Sequence, residues 1–93
     1  MNIESLSGNV WGINNSGEIT KLENNGIFDV IGDSQAVGVG NYNGTIGNLT
    51  NRGVMNIESL YGNVWGIDNS GEITKLENNG IFDVIGGSQA FGI

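Results

Sequence analysis

The sequence predicts an all-β repeat protein: a β-solenoid of nine-residue strand-and-corner units, about three units to a coil. Three observations predict it. Apolar residues return every nine positions, Asn, Ser and Gly gather between them, and residues 1–39 and 55–93 are nearly the same sequence at an offset of 54.

Written from Gly8, the units run GNVWGINNS, GEITKLENN, GIFDVIGDS, QAVGVGNYN, GTIGNLTNR and GVMNIESLY, and then begin again. Gly opens the unit, except where Gln35 and Gln89 stand. The third position is apolar throughout: Val10, Ile19, Phe28, Val37, Ile46, Met55, Val64, Ile73, Phe82 and Phe91. Ile13, Leu22, Ile31, Leu49, Ile67, Leu76 and Ile85 hold the sixth. Helices need apolar spacing near 3.6 over longer stretches, and no segment has it. A short strand followed by an Asn/Ser/Gly corner fits each unit. Corners such as Asn14-Asn15-Ser16-Gly17 and Glu23-Asn24-Asn25-Gly26 are rich in residues that tolerate a left-handed backbone.

The two long copies differ at five positions: Ser7/Tyr61, Asn14/Asp68, Asp33/Gly87, Val37/Phe91 and Val39/Ile93. Such near-identity implies recent duplication within a single repeat domain spanning residues 1–93. Because the second copy stops mid-repeat, the chain is expected to be a piece of a longer array.

Nine-residue units can wind in one sense as a parallel solenoid, or reverse at each corner as antiparallel propeller-like or meander hairpins. Shifting residues 8–34 by 27 gives seven identities, against five for a shift of 18 and four for nine. That favours three units per coil. The implied columns are Ile19–Ile46–Ile73, Leu22–Leu49–Leu76 and Val30–Ile57–Val84, with Gly38 spacing Trp11 from Trp65. Like charges stay apart, because Thr45, Asn48 and Thr50 separate Glu18, Lys21 and Glu23 from Glu72, Lys75 and Glu77. One column, Ile31–Glu58–Ile85, places a carboxylate between aliphatic chains and must face solvent or a half-buried corner.

Composition narrows function. The chain carries three basic and ten acidic residues, net charge −7. It therefore lacks the basic stripe that supplies nucleic-acid affinity, and the same balance opposes docking on an anionic membrane. No apolar run approaches the roughly 18 residues of a membrane helix. The start of the chain lacks a basic segment followed by an apolar one, so any export signal is expected outside it. Absence of Cys removes disulfides, thiol nucleophiles and zinc–thiolate sites.

The segments Asn15–Ile27 and Asn43–Gly53 resemble passenger repeats of bacterial autotransporters and related surface adhesins. That resemblance implies a parallel β-helix at the cell surface or outside the cell. Gly8–Ile19, reading G-N-V-W-G-I-N-N-S-G-E-I, resembles a blade segment of tectonin-type β-propeller lectins. Those blades recur at about four strands, whereas 54 residues hold six units.

Without His or Cys, catalysis would fall to carboxylates, and Asp29, Asp83 and Asp33 sit in repeated slots that a solvated strand face or a turn explains. No enzymatic activity and no cofactor are expected. Gly32-Asp33-Ser34-Gln35 lacks the calcium-binding nonapeptide pattern, and its copy loses the Asp at Gly87, so no metal site is expected. Gly38, Gly40, Gly44 and Gly47 read as turns and close strand packing, with no phosphate-loop pattern.

Trp11, Trp65, Tyr42 and Tyr61 are the candidate ligand-binding residues. Aromatic rings on a flat β-face can stack on sugars, while the structural alternative packs both Trp residues in the core or against a neighbour. The expected function is a non-enzymatic structural or adhesive module of a bacterial surface or secreted protein, with a propeller-like lectin as alternative. Unpaired coil ends imply a homo-oligomer. A glycan or host-surface molecule is the implied ligand.

Overall fold

A computed structural model describes residues 2–4 and 8–93, and every regular element in it is a strand. In chain order these are β1 (Asn2–Glu4), β2 (Asn9–Asn15), β3 (Glu18–Asn24), β4 (Ile27–Gly32), β5 (Gln35–Asn41), β6 (Thr45–Asn51), β7 (Val54–Ser59), β8 (Val64–Asn69), β9 (Glu72–Asn78), β10 (Ile81–Ile85) and β11 (Ala90–Phe91). They form three parallel sheets, β1-β4-β7-β10, β11-β8-β5-β2 and β3-β6-β9. Each coil contributes one strand to each sheet, giving a β-solenoid of about three turns. The antiparallel propeller or meander alternative is overturned, since all pairings are parallel.

Two of the sheets keep the 27-residue coil that the sequence predicts. Ile19 pairs with Ile46 and Ile46 with Ile73, and Val30 pairs with Ile57. Ile46, Val30 and Ile57 are fully buried. Burial in β7 alternates strictly, with Met55, Ile57 and Ser59 inside. Ile31, Glu58 and Ile85 therefore face outward, and solvent satisfies the Glu58 carboxylate.

The third sheet departs from that spacing. Trp11 pairs with Val37, a step of 26, and Val37 with Trp65, a step of 28. The expected Trp11–Gly38–Trp65 column is thus corrected to Trp11–Val37–Trp65, and Val10 partners Ala36 instead of Val37. Corner lengths make the slip: Tyr42-Asn43-Gly44 follow β5, whereas Ser16-Gly17 follow β2 and Ser70-Gly71 follow β8. Asn43 absorbs the extra residue in the left-handed region, at φ 61°.

Core packing explains the slip. In the even 27-residue register Gly40 would face Ile13 and Ile67 and leave a hole. With the slip Val39 fills that place and is fully buried. Gly12, Gly38 and Gly66 then fall in line under the neighbouring sheet. A Cβ on Gly12 would come within 2.7 Å of both Phe28 and Val30, and one on Gly38 within 2.6 Å of Ile57.

Two asparagine ladders run inside the corners. Asn15 Nδ2 donates to Asn41 Oδ1 at 2.9 Å, and Asn41 to Asn69 at 2.7 Å. Asn24 donates to Asn51, and Asn51 to Asn78, each at 2.8 Å. Each amide also caps a corner carbonyl, as Asn51 does for Ile81 at 2.9 Å. Asn41 is fully buried, and no buried side-chain polar atom among the described residues lacks a partner. Asn15, Asn41 and Asn51 are the buried members of these hydrogen-bonding spines.

Candidate functional site

The outer face of the β2–β5–β8–β11 sheet gathers most of the aromatic candidates. Because Gly12, Gly38 and Gly66 point inward, the neighbouring residues Trp11, Val37 and Trp65 point out, and Phe91 follows Trp65 in the same column. Trp65 and Phe91 stack, with ring centroids 5.4 Å apart and planes 15° apart. Trp11 is 40% exposed, so packing in the core does not account for it. Val37, between the two indoles in the ladder, is buried despite facing outward.

Beside this column runs a second one, Asn14–Gly40–Asp68. The Tyr42 ring lies over Gly40, where an added Cβ would come within 2.6 Å of it. Glycine at this place lets the ring lie flat on the sheet. Trp11 Nε1 donates to Tyr42 Oη at 3.2 Å, and Tyr42 donates to Asp68 Oδ2 at 3.2 Å. The chain Trp11→Tyr42→Asp68 thus spans all three coils. Burial lifts the Tyr42 phenol above its ordinary value, the Trp11 N–H opposes the rise, and the Asp68 carboxylate adds to it.

Tyr61 stands apart. It projects from the corner before β8, 75% exposed, and shares no hydrogen bond or ring stacking with the other three among the described residues. Trp11, Tyr42 and Trp65 are therefore brought to one face and Tyr61 is not tied to it. Asp68, Phe91 and Val37 complete that face and were not named as candidates from sequence. Glycines at spacing 26 and 28 were the available signal, obscured by the even nine-residue frame.

The other outward faces mix charged and polar residues with exposed Ile27, Ile81 and Ile85. Asp29 and Asp83 are separated by Asn56 in the ladder. Glu23 accepts from Asn25 at 2.7 Å and pairs with Arg52 at 2.9 Å and Lys21 at 3.4 Å. Its carboxyl is held below the usual value, chiefly by the Asn25 amide, with partial desolvation opposing and Lys21 and Arg52 assisting. An apolar cleft of about 250 Å³ enters the core between Ile13, Leu22, Phe28, Val39, Leu49 and Met55. Among the described residues no cluster of three or more His, Cys, Asp or Glu could hold a metal ion. No helix is long and apolar enough to cross a membrane among them either.

No protein-family model, curated protein or solved structure matches the chain.

Proposed function

We propose that the chain is a non-enzymatic contact module of a bacterial surface or secreted protein, a rigid solenoid that presents the Trp11–Tyr42–Trp65 face to a glycan-bearing surface. One observation carries this reading. Exposed Trp11 lies beside a hydroxyl and a carboxylate held in place by the Trp11→Tyr42→Asp68 chain. An aromatic plane next to fixed polar groups suits a sugar ring, whose C–H face stacks while its hydroxyls take hydrogen bonds. The solenoid supports it by fixing the backbone beneath each of these side chains. The adhesin-like and surface assignments rest on the resemblance of the Asn15–Ile27 and Asn43–Gly53 segments to autotransporter passenger repeats.

Beads coated with the chain, tested on a glycan array and on glycan-bearing cells, examine this reading. Selective retention lost in Trp11→Ala and Tyr42→Phe, with the β circular-dichroism spectrum kept, is the expected outcome. Equal retention by both variants sinks the assignment to this face. Release of reducing sugar, abolished in Asp29→Asn, would replace adhesion with hydrolysis.

A further inference from the structure

The hydrogen bonds on the aromatic face all run one way, and that direction selects a ligand. Trp11 gives its only side-chain N–H to Tyr42 Oη at 3.2 Å, and Tyr42 gives its only O–H to Asp68 Oδ2 at 3.2 Å. Asp68, as a carboxylate, has no proton to give. Burial holds the proton on Tyr42, with the Trp11 N–H opposing and the Asp68 carboxylate assisting. Along this chain the side chains therefore have acceptors left and no donors.

Asp68 also stands without a counter-charge. It is the only charged residue in β2, β5, β8 and β11. Among the described residues its Oδ1 takes no hydrogen bond, and neither oxygen has an ion pair. On the β3–β6–β9 sheet, by contrast, Glu23 has Lys21 and Arg52, and Glu77 has Lys75. Asn14, which holds the matching place in the other long copy, is uncharged. It stands two strands from Asp68 in the same column, where its amide is left for ring hydroxyls.

From this we infer that the face takes a sugar carrying a free, protonated amine, with the ammonium on Asp68 and the sugar ring beside the Trp11 indole. The inference deepens the glycan reading above and rests on it. An ammonium group brings N–H donors and a positive charge to a place that offers acceptors and a negative one. The exposed Trp11 indole adds cation–π attraction for the same charge. An N-acetylated amine loses the charge and adds a carbonyl acceptor, for which the Trp11→Tyr42→Asp68 chain has no donor. A uronic or sulfated sugar sets like charge against Asp68.

The test is isothermal titration calorimetry on the full chain, at a mildly acidic pH that keeps the amine protonated. The probes are the β-1,4-linked glucosamine hexamer, its fully N-acetylated form and the β-1,4-linked glucose hexamer. The amine form should bind about tenfold more tightly than either of the others. Asp68→Asn keeps an acceptor for Tyr42 and removes the charge, and should erase most of that preference. Trp11→Leu should weaken the amine form as well. Glu18→Gln, the same loss of charge on β3, should leave the preference unchanged. A preference kept in Asp68→Asn, or lost equally in Glu18→Gln, marks general attraction to an acidic chain and overturns the proposal. Equal binding of the three hexamers also overturns it and leaves the glycan reading standing. Failure to bind any of them overturns it too, and failure on the whole glycan array removes the reading beneath it.

Discussion

Val39 lies opposite Ile13, twenty-six residues earlier, although the nine-residue frame pairs Ile13 with Gly40. This slip puts a glycine of each coil in one inward line and frees Tyr42 to lie on the outer face. The Ile13–Val39–Ile67 core column, the Asn15–Asn41–Asn69 ladder and the aromatic face all follow from it.

The glycine line is the first place to test. Gly38→Ala would put a methyl 2.5 Å from the Gly66 carbonyl oxygen and 2.6 Å from Ile57 Cγ1. Overpacking of this kind costs about 1–3 kcal/mol. Urea denaturation should show that loss, while Gly26→Ala, with nothing within 4 Å of its added Cβ, stays near wild type.

Asn51 sits at the centre of its spine, 2% exposed, accepting from Asn24 and donating to Asn78 and Ile81. Asn51→Leu removes the acceptor of one Asn24 hydrogen bond, leaving that amide its bonds to Gly26 and Val54. It also removes the donor to the Ile81 carbonyl, at about 0.5–1.5 kcal/mol for each hydrogen bond lost. Thermal unfolding by circular dichroism should show it. An unchanged midpoint would mean that the ladder contributes nothing.

Tyr42 should ionise above the ordinary phenol value of 10.0, because burial and the Asp68 carboxylate favour the neutral form. The raised folded value makes its contribution to stability complete below pH 10 and lost as pH rises through the folded value. Ultraviolet titration of Asp68→Asn should move the Tyr42 transition downward. No movement would break the Tyr42–Asp68 link.

Glu23 has the opposite sign. Its folded value lies below 4.5, so its stabilisation is present above that pH and disappears as pH falls through the folded value. Asn25→Ala removes the main cause and should raise the Glu23 titration midpoint, measured by carboxyl-carbon NMR. A midpoint that does not move would remove Asn25 from that role.

By itself the sequence determined the strand-and-corner unit, the all-β class and the 27-residue coil of two sheets. Ile19, Ile46 and Ile73 declare their column because strand side chains alternate and like residues stack at a fixed interval. It also marked Trp11, Trp65, Tyr42 and Tyr61 as candidate ligand-binding residues, of which Tyr61 lies apart from the other three. Only the tertiary structure decided which residue stands between the indoles and that Tyr42 bridges Trp11 to Asp68. Only it showed that Asn15, Asn41 and Asn51 turn inward. The residue between the indoles and the Tyr42 bridge depend on a one-residue exchange between neighbouring corners, which leaves the local pattern intact. Cavity filling by Val39 and hydrogen bonding by Asn41 choose the register, and both act between coils rather than along the chain.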